Sequence, residues 1–104
     1  MDCEQWIVRV ISKRHLMEIA TQFSDCRTVL KAWLNTVQQA KWSSLEELRQ
    51  TYPATDMVGR LAIFNIKGNR YRLIVRMEFS EQRIFVKEFL THAEYDKGAW
   101  KKWL

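Results

Sequence analysis

With 104 residues the chain has room for one domain, and a hydrophobic content of 47%, including five Trp and five Phe, is enough to build a core. Three Gly and one Pro argue against a disordered or low-complexity chain, and no apolar run approaches the ~18 residues needed to cross a bilayer. The net charge of +5 permits an acidic partner such as nucleic acid without requiring one.

Met1 to Gln5 is polar and acidic, unlike a signal peptide, and a cytoplasmic location is expected. Cys3 and Cys26 stand alone, with no Cys or His at zinc spacing, so free thiols are expected and neither a metal site nor a cofactor. Trp6 to Ile11 is β-branched and apolar and predicts a short strand. Ser12 is placed to cap a first helix with Leu16, Ile19, Ala20 and Phe23 on its apolar side. Ser24-Asp25 marks the start of a second helix. Its stripe of Cys26, Val29, Leu30, Trp33, Leu34, Val37 and Ala40 faces away from Arg27, Lys31, Gln38 and Lys41. Ser44 and Glu47 form a capping box, which predicts a third helix over 45–51 that ends before Pro53. Pro53 to Gly59 reads as a loop.

From Arg60 the period becomes two. Gly68-Asn69 predicts a two-residue hairpin turn, because both residue types tolerate the positive φ such turns need. Lys67 then faces Arg70, Asn65 faces Arg72, Ile63 faces Ile74 and Leu61 faces Arg76, all on one side. Phe64, Ile66, Tyr71, Leu73, Val75, Met77 and Phe79 share the reverse side and define the core. A strand from Arg83 to Leu90 follows a tight loop near Ser80-Glu-Gln82. Setting Ile84 opposite Phe79 sends Ile84, Val86 and Leu90 to the core and puts Lys87 opposite Arg76 and Thr91 opposite Arg72. The same register turns Glu88 inward, with nothing in the sequence to account for it. Thr91 and Glu94 form another capping box, so a terminal helix is expected to begin at His92 and carry Tyr95, Trp100 and Trp103, with Gly98 weakening it.

Between Asp56 and Glu78 there is no acid, while Arg60, Lys67, Arg70, Arg72 and Arg76 all fall there. The paired strands therefore gather cations on one face, and the strand-to-helix junction brings an imidazole next to them. Arg suits a phosphate because its planar fork engages two oxygens. His is an acid or base near neutrality. The bland rival is a solvated basic sheet surface with His92 as a first-turn helix residue, Tyr95 and the Trp residues as packing groups, and Asp96 in a local polar or helix-dipole role. His15 has no chemical company in the sequence and reads as structural. The pattern as a whole points to a small enzyme acting on RNA.

Two longer motifs sharpen this reading: Asn65-Ile-Lys-Gly-Asn-Arg-Tyr-Arg-Leu73 and Thr91-His-Ala-Glu-Tyr-Asp96. With Arg9 to Lys13, Ala32-Trp33 and Ala40 to Trp42, they make the chain resemble the HigB family of bacterial toxin–antitoxin systems over roughly residues 8 to 97. The resemblance implies an α+β, RelE-like microbial ribonuclease fold, with N-terminal helices packed on a small, mostly antiparallel sheet and a short C-terminal helix, as one domain over 1–104. It implies a metal-independent, ribosome-dependent mRNA endonuclease acting in the A site. The toxin would be monomeric when free and hetero-oligomeric with a HigA-type helix-turn-helix antitoxin, without a membrane partner. The motif positions imply catalytic roles for Lys67, Arg72, His92 and Tyr95, and the basic face adds RNA binding by Asn65, Arg70, Arg76 and Lys87. Two alternatives fit the same superfamily: a protein-binding toxin that poisons a DNA topoisomerase, and an inactive regulator that only binds its antitoxin. The tail from Gly98 to Leu104 lies outside the matching pattern.

Overall fold

A computed structural model describes residues 9–11, 13–68 and 70–104. The elements run β1 (Arg9–Ile11), α1 (Lys13–Gln22), a short 3-10 turn (Ser24–Cys26), α2 (Arg27–Gln39), α3 (Leu45–Thr51), β2 (Asp56–Val58), β3 (Leu61–Ile66), β4 (Tyr71–Glu78), β5 (Arg83–Thr91), α4 (His92–Lys97) and a 3-10 segment (Ala99–Trp103). The five strands are ordered β1-β5-β4-β3-β2, with β1 parallel to β5 and the other pairs antiparallel. This is the α+β arrangement of helices, sheet and short terminal helix that the sequence led us to expect. The Ser12 cap, Asn69 and the part of the first strand before Arg9 lie outside the described residues.

The helices cover one side of the sheet. Leu16, Ile19 and Ala20 of α1 and Leu30, Trp33 and Val37 of α2 are buried against Phe64, Ile66, Leu73, Val75 and Met77. Trp33 meets Phe64 edge to face at 5.4 Å, and Tyr52 meets the same ring at 5.3 Å. Helix α3 starts at the Ser44 cap, whose hydroxyl accepts from the Glu47 amide, but the Glu47 carboxylate takes the amide of Ser43 rather than that of Ser44, so only half of the expected box forms. The β3–β4 register also follows the sequence: Asn65 faces Arg72, Ile63 faces Ile74 and Leu61 faces Arg76. Lys67 and Gly68 take positive φ of 52° and 66°, and the Arg70 amide closes the turn on the Lys67 carbonyl at 3.3 Å.

Three expectations are corrected. Residues 53–59 are not all loop, because Asp56–Val58 pairs with β3 as an edge strand after which Gly59 turns at a φ of 61°. Strand β5 is shifted: Ile84 pairs with Met77, Phe85 with Arg76, Leu90 with Arg72 and Thr91 with Tyr71. A bulge opposite Ile74 and Val75 absorbs Lys87 as an unpaired extra residue. Past it the faces exchange, so Phe89 enters the core in place of Leu90, and Glu88 leaves it. Simple alternation cannot register such an inserted residue, and the inward Glu88 was its only trace.

The other sheet side is not a bare basic surface. Leu61, Ile63 and Ile74 are buried there under Trp100, with Val58, Leu90 and Tyr95 packed around them. Gly98, at a φ of 79°, ends α4 and redirects the chain so that the 3-10 segment lies across this face. Burial on both sides explains why Leu61 through Phe64 are all buried rather than alternating. Trp100→Ala is expected to cost about 3 kcal/mol or more, whereas Trp103→Ala, with 40% of the residue exposed, should cost about 0.5 kcal/mol or less. Urea midpoints of the two variants check this, and equal midpoints would show that the tail is not part of the fold.

Candidate active site

The strand-to-helix junction sets the site. The Thr91 hydroxyl accepts from the Glu94 amide at 3.2 Å, and the Glu94 carboxylate accepts from the Thr91 amide at 3.0 Å. The next amide, that of His92, donates to the Arg70 carbonyl at 2.9 Å, which fastens the start of α4 to the β3–β4 turn. One helical turn on, an Asp96 carboxylate oxygen lies 3.0 Å from the His92 Nδ1. A carboxylate can only accept, so it holds the proton on Nδ1 and leaves Nε2 as the reactive nitrogen. Both side chains are about half exposed.

Tyr95 follows on the same helix. Trp100 lies flat against its ring, with centroids 5.1 Å apart and planes within 4°, and donates its Nε1–H to the Tyr95 carbonyl. The Arg72 guanidinium sits over the Tyr95 ring at 5.4 Å, and its Nη1 donates to the Tyr71 carbonyl at 3.2 Å. Asn65, directly across from Arg72, is exposed. Burial, and then the charge of Asp56, push the Tyr95 phenol above its ordinary value against the opposing pull of Arg72. At neutral pH the ring is therefore an uncharged platform for Arg72 rather than a base.

The remaining candidates divide by position. The Lys67 ammonium is directed toward the helix layer, 3.7 Å from an Asp25 carboxylate oxygen that also accepts from the Tyr71 hydroxyl. Arg70 is exposed on the same turn. Arg76 is four residues from Arg72 along β4, roughly 13 Å away, and its guanidinium meets Glu78 at 3.2 Å. Lys87, on the bulge, has its ammonium beside the rings of Phe85 and Trp103. The structure thus brings together Arg72, Tyr95 and Asn65 with the His92 junction and its adjoining turn, and leaves Arg76 and Lys87 at the far end of the face. Asp96 is the residue that sequence reasoning undervalued; its spacing of four after His92 on a capped helix was the available signal. Cys26 is a buried free thiol, raised by burial first and by Asp25 next, which suits packing rather than nucleophilic attack.

The small α+β fold thus sets a cationic hairpin against a capped His-bearing helix. Residues 26–98 match the family HigB_toxin, described as the RelE-like toxic component of a toxin-antitoxin system, and the chain belongs to that family. An antitoxin partner follows from that membership. Among similar proteins is the mRNA interferase toxin HigB of Escherichia coli (strain K12), 27% identical over 92 residues, which cover 86% of this chain and 88% of that protein. The mRNA interferase HigB of Escherichia coli O6:H1 is 29% identical over 93 residues, 86% of this chain and 90% of the relative. The mRNA interferase HigB of Shigella flexneri is 27% identical over 92 residues, with shares of 86% and 88%.

Burial raises the phenols of Tyr52 and Tyr71 as well as Tyr95. A raised folded value stabilises the fold in full below the unfolded value of ~10 and is lost as pH rises through the folded one. Urea midpoints are therefore expected to hold up to about pH 10 and to fall above it, with a shallower fall in Tyr95→Phe. A fall of equal steepness in that variant would contradict the burial of the ring.

Proposed function

We propose that this chain is a toxin domain over residues 1–104 that cuts mRNA on the ribosome, in the A site, and is neutralised by a HigA-type helix-turn-helix antitoxin. The observation that carries the reading is the Asp96–His92 pair on the helix whose next turn carries Tyr95 under Arg72. In cleavage by the RNA itself, the 2′-oxygen loses its proton and attacks the adjacent phosphorus. The P–O5′ bond then breaks, and the 5′-oxygen takes up a proton. The products are a 2′,3′-cyclic phosphate and a 5′-hydroxyl.

Arg72 offers two N–H donors to the non-bridging oxygens, where negative charge builds in the transition state. His92 Nε2 carries the proton at one end of the reaction and solvent water carries it at the other, while the Asp96 carboxylate fixes the imidazole tautomer. Lys67 and Arg70, on the turn tied to the His92 amide, add positive potential, and Asn65 supplies a neutral polar group beside Arg72. With Trp100 flat against it and Arg72 above it, Tyr95 serves as a positioning residue for the guanidinium. The free toxin acts as a monomer in the cytoplasm, where its ribosomal substrate is found. No helix among the described residues is long and apolar enough to cross a membrane.

The test is cleavage in a translating extract mapped by primer extension. The unaltered protein should yield discrete, codon-linked cuts. His92→Ala and Arg72→Ala should each slow cutting about 10²- to 10⁴-fold. Asp96→Asn is expected to slow it less, by about tenfold, as loss of tautomer control. Intact transcripts accompanied by a DNA-damage response in cells would replace this reading with topoisomerase poisoning. Full cutting by the Arg72→Ala, His92→Ala double variant would remove the site assignment.

A further inference from the structure

The far end of the same sheet face carries a second cationic and aromatic surface that the cleavage corner does not use. It is built by the tail, which lies beyond the family match ending at residue 98. Trp100 anchors the tail, so that Trp103 and Leu104 reach across β4 toward the β2–β3 turn, where Leu104 approaches Gly59. A cavity of about 320 Å³ opens there, lined by Gly59, Arg60, Arg76, Trp103 and Leu104. The Trp103 indole N–H donates to Glu88, the carboxylate that the β5 bulge turns to this side. Its ring has Lys87 at 5.2 Å and Lys102 at 5.3 Å and remains 40% exposed.

Arg60 is exposed and makes no ion pair with a described residue. Arg76 and Arg83 share Glu78, which neutralises part of their charge. Even so, Arg60 and Arg76 of the lining, with Lys87 and Lys102 beside Trp103, outnumber Glu78 and Glu88, the carboxylates that meet Arg76 and Trp103. An aromatic wall with guanidinium groups beside it matches a nucleotide, whose base stacks and whose phosphate takes forked donors. The roughly 13 Å of β4 between Arg72 and Arg76 is a distance that one extended RNA strand covers.

We propose that this cavity is a nucleotide subsite for the mRNA strand being cut, with a base against Trp103 and a phosphate on Arg60 and Arg76. It deepens the cleavage reading and rests on it for the identity of the strand. Holding the strand at two points sets how tightly a long RNA binds, whereas a short RNA confined to the cleavage corner does not sense the tail.

The experiment measures fluorescence anisotropy of labelled single-stranded RNAs of about 4 and about 12 nucleotides on the full chain carrying His92→Ala, which slows cutting. Adding Trp103→Ala or Arg60→Gln should weaken the longer RNA about tenfold and leave the shorter one unchanged. Trp103→Phe should recover most of the loss. Arg60→Gln should also lower the slope of log affinity against log salt by about 0.7. Unaltered thermal melting of these variants ensures that the comparison is between folded proteins. Equal affinity of Trp103→Ala for the longer RNA overturns the subsite, as does a defect confined to isolated ribosomes, which would assign the surface to ribosomal RNA. The extract assay separates the two ideas. Cutting by the unaltered protein with tail-independent binding removes the subsite alone. Tail-dependent binding without any cutting removes the cleavage reading alone.

Discussion

Arg72 over Tyr95, and Tyr95 flat on Trp100, form the stack on which the rest of the site depends. An arginine on the solvent side of a two-strand hairpin would ordinarily sweep a wide volume. Here its guanidinium rests on an uncharged ring whose other contacts are fixed by a buried indole, itself set into Leu61, Ile63 and Ile74. Core packing on the second sheet face is thereby converted into the position of a cation. The same helix that carries Tyr95 carries His92 one turn earlier, and its first amide is bonded to the hairpin turn. Cation and imidazole are thus referred to one frame rather than to two independent loops, as the proposed proton transfer at a phosphate requires.

The β5 bulge has an effect out of proportion to its single residue. Without it, Leu90 would turn to the helices and Phe89 to the second face, exchanging what lies under α4. With it, Phe89 stacks on Tyr71 at 5.0 Å in the helical core, while Glu88 emerges to hold the Trp103 indole. It also separates Lys87 from the corner that holds His92 and Arg72. The basic face therefore works as two stations, one at the hairpin end and one under the tail, with the buried Ile74 and Trp100 between them.

Much of this was legible in the residues, for identifiable reasons. The Ser44 cap and the Thr91 capping box placed two helix starts because each is a short-range hydrogen-bond pattern that the chain satisfies on its own. The β3–β4 register followed from a turn whose chemistry admits positive φ at Gly68. What could not be read depends on contacts distant in sequence. The edge strand Asp56–Val58 exists because β3 offers it a ladder, and its own residues carry little strand pattern. Arg76 shares a face with Arg72 in any register, yet four residues of β4 set the two apart, and Lys87 falls on a bulge that alternation does not show. Asp96 had the right spacing to meet His92, but only the capped helix shows that the two side chains do meet. Trp100 and Trp103 look alike in sequence; one is the keystone of the second core and the other its exposed rim.

The chemical claim beneath the account is that the ribose 2′-oxygen is the nucleophile, with side chains moving protons and holding charge around it. End-group analysis of RNA fragments released in a translating extract tests this most directly. The account predicts 5′-hydroxyl ends, ligatable only after treatment with a polynucleotide kinase, opposite 3′ ends carrying a 2′,3′-cyclic phosphate or its hydrolysis product. Fragments with 5′-phosphate and free 3′-hydroxyl ends would mean that water, not the ribose, attacks the phosphorus, and would contradict it.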